Sequence, residues 1–236
     1  DIVERGDPQR RARAIQQISE LFVQGAGHFR PEHVNLFDGI LTGLVPDTAI
    51  AARAELAERL AAIPNAPPTL VDQLVRADEI AVAGPLLRLS PQIGELTLLD
   101  IARGKGQEHL LAISGRASLS AALTDVIVRR GDREVVRSVA GNAGARFSQA
   151  GYTGLVKRSG DDGILALTLG QRNDLSPALL EQLLAGSVDV VRRRLFEAAS
   201  PARKAAINQT MLQITRGAKR TTPARDFSVA QRAVIS

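Results

Sequence analysis

Histidine occurs three times in the 236 residues, at His28, His33 and His109, and these are the first side chains to test for metal or acid–base chemistry. His28 and His33 bracket the run HFRPEH, with Glu32 between them. A zinc site needs converging ligands, commonly a helical i, i+4 pair plus a third group. Here the spacing is five and Pro31 interrupts it, so the pattern suits solvated or capping residues, and no metal site is expected. A serine nucleophile needs a base and an orienting acid. Ser120, Ser148 and Ser176 instead recur in steps of 28, as caps do and a single nucleophile does not. The run RGKGQEH at 103–109 has two glycines and a lysine but neither the preceding strand nor the GxxxxGK[ST] spacing of a phosphate loop; it reads as a helix corner. Asp161 and Asp162 fall at an expected helix start. Cysteine is absent, which removes thiolate ligands and nucleophiles. The sequence therefore points away from an enzyme, with no catalytic residue, metal or cofactor expected.

The candidate binding residues are basic: Arg129, Arg130, Arg133, Arg137, Lys157, Arg158, Arg192, Arg193 and Arg194. Arg133 and Arg137 are four apart and share a helix face. Twenty-eight residues further on, however, their counterparts are Asp161 and Leu165, and then Asp189 and Arg193, so no unbroken basic stripe results. Arg192–Arg194 fan over about 200° at helical spacing, and one of them is expected to pair with Asp189. Basic pairs at 129–130 and 157–158 close expected helices, and acidic residues at 78–79, 132 and 161–162 open the next ones, as helix dipoles favour.

The elements that would carry these residues are short helices. Each of the three serines precedes an apolar run with three- and four-residue steps, as in Leu179, Leu180, Leu183 and Leu184, which is a helical and not a strand period. A serine hydroxyl there accepts from an unpaired first-turn N–H. Gly104, Gly131, Gly160 and Gly186 stand near the helix ends, where glycine's left-handed conformation is the expected stop. Two earlier copies, from Pro67 and from Ile93, bring the count to about five helix–turn–helix units between Pro67 and Ser200. Residues 8–24, 30–45 and 47–62 read as longer helices that cap the stack, and 201–216 as a further amphipathic helix. The expected organisation is an N-terminal helical cap over 1–66, continuous with a repeat array over 67–216, and a basic flexible tail over 217–236.

Composition agrees. Hydrophobic residues make up 44% of the chain and aromatics only 3%, so core volume comes from Leu, Ala, Val and Ile, which suits closely packed helices. No stretch reaches the roughly 18 apolar residues of a membrane span, and with no cysteine the expected compartment is the cytoplasm. The chain opens at Asp1, the pattern of an excised segment. Residues 1–118 hold 12 Lys/Arg against 15 Asp/Glu, and 119–236 hold 18 against 10. The second half is thus the basic one, which is the sign that attracts phosphate backbones or acidic partners.

The run GPLLRLSPQIGELTLLDIARGKGQEHLLAISGR, continued by GDREVVRSVAGNAGARFSQAGYTGLVKRSGDD, resembles the bacterial family "domain of unknown function 2336" over about residues 45–200. Its most specific motifs are RGDREVVRSV at 130–139 and GNAGARFS at 141–148. More distantly, IPNAPPTLVDQL and the acidic corner after it are similar to leucine-rich-repeat-variant and HEAT-like helical repeats, which implies a binding scaffold. The fold expected is all-α, a right-handed α-solenoid of short antiparallel helix pairs with a period of about 28 residues. The function expected is a non-catalytic surface for a partner protein or peptide, with phosphate-backbone binding by the basic half as the alternative.

Overall fold

The computed structural model describes residues 8–199 and 201–221. They form fourteen α-helices: α1 Pro8–Gly25, α2 Pro31–Leu44, α3 Ile50–Leu60, α4 Pro68–Val75, α5 Ile80–Leu89, α6 Glu95–Gly104, α7 Gln107–Ser114, α8 Ala121–Arg130, α9 Arg133–Gly141, α10 Gln149–Ser159, α11 Gly163–Gln171, α12 Pro177–Gly186, α13 Asp189–Ala198 and α14 Pro201–Thr221. Among the described residues there is no strand, only one isolated parallel bridge between Leu119 and Ala145. No described helix is long and apolar enough to cross a membrane.

Local chemistry sets the boundaries. Ser120 accepts from the Leu123 N–H at 3.3 Å, Ser148 from Gly151 at 2.9 Å and Ser176 from Leu179 at 3.4 Å. Asp132 and Asp162 do the same for the following helices, accepting from Val135 at 2.9 Å and Leu165 at 3.1 Å. Such caps each stabilise a helix by about 1 kcal/mol. Helix α4 has no local cap. Buried Asp38 of α2 accepts instead from Thr69 and Leu70, at 3.1 and 2.8 Å.

The glycine stops work differently from expectation. No described glycine has positive φ, so none uses left-handed backbone. Gly131 is extended, with φ −64° and ψ 142°. What it supplies is room: a Cβ there would lie 2.7 Å from both the Ile127 carbonyl and Val135 Cγ1. Helix α14 continues to Thr221, past the expected start of the tail; the rest of that tail, 222–236, lies outside the described residues.

The chain divides into two compact units, Asp1–Leu155 and Val156–Ser236. In the first, helices pack on the next but one along the chain: α1 on α3, α3 on α5, α5 on α7 and α7 on α9 make one row, and α2 on α4 and α6 on α8 lie in the other. Leu56, Leu60, Val82, Leu86, Leu110, Ile113, Val135 and Val139 are all buried in the α3–α9 row. Burial of each such side chain contributes about 1.5–3 kcal/mol. In the second unit α11 packs on α12 and α13, and α12 on α14, around Leu165, Leu169, Leu179, Leu183, Leu195 and Ile207.

Candidate functional site

In the first unit, the loops that follow the second helix of each pair carry polar side chains that reach back to main-chain carbonyls. Gln92 donates to the Pro64 and Ala66 carbonyls at 2.6 and 3.0 Å. Arg116 donates to Leu87 and Ser90 at 2.7 and 2.9 Å, and burial pulls its pKa down from the usual arginine value. The Asn142 amide donates to Ser114 and Arg116 at 2.8 and 2.7 Å. Helices leave their last carbonyls without partners, and these side chains satisfy carbonyls at helix ends and in the loops after them, 26–29 residues earlier in the chain.

The motif at 141–148 proves to be a clasp of this kind. Asn142 Oδ1 accepts from Gly144 N at 2.8 Å. Leu119 N donates to the Gly144 carbonyl and Arg146 N to the Leu119 carbonyl, at 3.1 and 3.0 Å. A Cβ on Gly144 would stand 1.9 Å from the Ala117 carbonyl oxygen, so no other residue fits that approach. The Arg146 carbonyl accepts from Thr124 at 2.6 Å, and Ser148 donates to Asp125 while capping α10. The residues that make this motif distinctive hold neighbouring loops together.

The other sequence candidates are placed as follows. His33 Nδ1 accepts from the Arg30 N–H at 3.3 Å, a capping contact, and His28 is exposed. His109 is buried, its Nε2 3.0 Å from the Ala77 carbonyl. At the 103–109 corner Lys105 pairs with Asp78, and Gln107 exchanges hydrogen bonds with the Arg130 carbonyl and the Asp132 N–H. Among the described residues no three His, Cys, Asp or Glu side chains cluster as metal ligands would.

The nine basic candidates divide between the units. Arg129, Arg130 and Arg133 flank the corner at Gly131, with half-buried Arg137 one turn further along α9. Arg130 donates to the Ala102 and Lys105 carbonyls at the end of α6. Its guanidinium is a strut. In the second unit Lys157, Arg158, Arg193 and Arg194 are exposed. Arg192 donates to the Leu184 carbonyl and to Asp189, both at 2.9 Å, so it is the member of the 192–194 run that pairs with Asp189.

A large opening in the first unit lies elsewhere, across α3, α5 and α7. It has a volume of about 680 Å³, within the 300–1,000 Å³ span of ligand pockets. Its floor is Ile80, Ala81, Gly84, Pro85 and Leu89 of α5, with Ala54 of α3 and Leu111 of α7 on either side. Leu89 is 56% exposed. Glu58 of α3, Arg88 of α5 and Glu108 of α7 stand around it, and none of the three makes a hydrogen bond or ion pair among the described residues. Arg88 lies against Gly115, the residue that ends α7, where a helix gathers negative carbonyl character. Pro85 has no N–H to close on the Ala81 carbonyl one turn earlier.

None of these groove residues was among the nine candidates. The available signal was α5 itself, IAVAGPLLRL, apolar beyond the single stripe a packed helix needs and interrupted by proline.

A family model described as "Uncharacterised protein conserved in bacteria (DUF2336)" matches residues 82–236, which takes in α5 from Val82 onward and every later helix. No curated protein and no solved structure matches the chain.

Proposed function

The chain belongs to this bacterial family, and from that premise we propose that it is a non-catalytic binding scaffold whose first unit holds a partner protein or peptide in the α3–α5–α7 groove. The single observation that carries the reading is the groove: an apolar floor with three exposed charged side chains around it, none bonded to a described residue. The reading takes the helices of this unit as successive turns of a right-handed, HEAT-like solenoid with a period of about 28 residues. The alternating rows and the back-reaching Gln92, Arg116 and Asn142 support that arrangement. Extended surfaces of this type bind chains because each turn adds a strip of side chains to one face.

A second reading, phosphate-backbone binding, draws on exposed Lys157, Arg193 and Arg194. Its weakness is that Arg130 and Arg192 are committed to carbonyls and to Asp189.

The test separates the two. Wild type, Ala81→Trp, which fills the groove floor from an exposed position, and Arg193→Glu/Arg194→Glu are each used to capture partners from a bacterial lysate with and without nuclease. A defined protein kept by the double-Glu variant and lost by Ala81→Trp supports the groove. Nuclease-sensitive, salt-dependent material lost only in the double-Glu variant overturns it in favour of phosphate binding.

A further inference from the structure

We infer that the α3–α5–α7 groove is selective for a cationic segment, a peptide stretch with an apolar anchor flanked by two lysine or arginine side chains. The inference rests on the groove reading above and concerns the chemistry of the occupant.

The groups that face the opening are unbalanced toward acceptors. Glu58 and Glu108 present two carboxylates with no cation or N–H answering either. The Ala81 carbonyl, on the floor, lacks the helical donor that any residue but proline would give it at position 85. Against these stands one donor, Arg88, whose side chain runs beside Gly115 at the end of α7. An occupant that brings its own donors satisfies all three acceptors; one that brings carboxylates meets two like charges.

The floor sets the other requirement. Ile80, Gly84, Pro85, Leu89 and Leu111 offer only apolar surface. An exposed leucine beside partnerless carboxylates is what an aliphatic or aromatic anchor covers while long basic side chains extend past it, their stems on apolar surface and their heads at the charges. The two carboxylates lie on α3 and α7 with α5 between them. Packed helices are about 8–10 Å apart, so the two cations of the segment belong on either side of the anchor and not next to each other.

A phage-displayed library of random 15-residue peptides, selected on the full chain, tests this. The expected winners carry an apolar residue between two Lys or Arg. By fluorescence anisotropy of the synthetic winners, binding weakens roughly five- to tenfold in Glu58→Gln/Glu108→Gln, from the loss of two partly exposed pairs. Binding is abolished in Ala81→Trp and reduced in Leu89→Ser, both checked for helix content by circular dichroism. Winners that are neutral or acidic, or that tolerate the double Gln variant, overturn the cationic selectivity while the peptide groove stands if Ala81→Trp still blocks them. Winners indifferent to both Ala81→Trp and Leu89→Ser overturn the groove itself, and the selectivity with it.

Discussion

Arg116 and Arg88 both stand at the ends of short helices in the first unit, and their surroundings differ completely. Arg116 is held by two carbonyls at the end of α5, at 2.7 and 2.9 Å, and Gln92 and Asn142 donate to carbonyls in the same way. Arg88 touches the end of α7 but forms no hydrogen bond, and the carboxylates across the groove from it form none either. The same residue type closes the loop edge and leaves the groove open. Polar side chains that satisfy carbonyls tie neighbouring helices together; the exposed groove charges are left to solvent and contribute little to the fold. The loop edge is therefore knit into the fold, and the groove is the surface proposed for binding.

Substitutions can break that division, and the loop edge offers the larger effects. Gly144→Ala puts a carbon 1.9 Å from the Ala117 carbonyl, which backbone must move to relieve; a loss of about 3 kcal/mol or more is expected in chemical denaturation. A midpoint unchanged from wild type would remove the clasp from the account of stability. Arg116→Met keeps the apolar stem but deserts two carbonyls, so about 1.5–3 kcal/mol should go, measured the same way. In contrast, the triple change Glu58→Gln/Arg88→Gln/Glu108→Gln should alter stability by no more than about 0.5 kcal/mol. A larger loss would mean that the groove charges are part of the fold after all.

The smallest effect is expected at the Lys105–Asp78 pair. The lysine holds the Asp78 carboxyl below its ordinary value, through a hydrogen bond and then through charge. A depressed carboxylate contributes stability above its unfolded pKa and loses it as pH falls through the lower, folded one. The contribution should thus fade only below about pH 4, and salt should screen it because Asp78 is fully exposed. Acid titrations of wild type and Asp78→Asn at two salt concentrations should differ slightly at low salt and coincide at high salt.

Helices were legible in the sequence wherever local chemistry decides them. The serine caps at 120, 148 and 176, the aspartates at 132 and 162 and the three longer N-terminal helices stand where periodicity and capping place them. The reason for the glycines was not legible. Room for a neighbouring atom at Gly131 and Gly144 depends on what packs there, which no local pattern carries. Charge was the least readable signal. Arg130 and Arg192 look like surface cations in sequence and are tied to carbonyls in the fold, whereas Glu58 and Glu108 look like ordinary helix charges and border the opening. For Arg130 the partners lie 28 and 25 residues away, beyond the reach of helical periodicity.

The bridge between Leu119 and the 144–146 loop also bears on where this chain can be cut. A fragment that stops between Ser120 and Gly141 keeps the Leu119 half of the pairing and discards the strand-like partner that receives its N–H. It also discards the Asn142 amide that holds the Ser114 and Arg116 carbonyls, so its new terminus would fray. Carrying the fragment through Gly151 retains the pairing, the amide and the serine that starts α10. One residue inserted at 118 or 143 would shift the register of the bridge and turn Leu119, 3% exposed, toward water. Changes in chain length are therefore poorly tolerated at this junction.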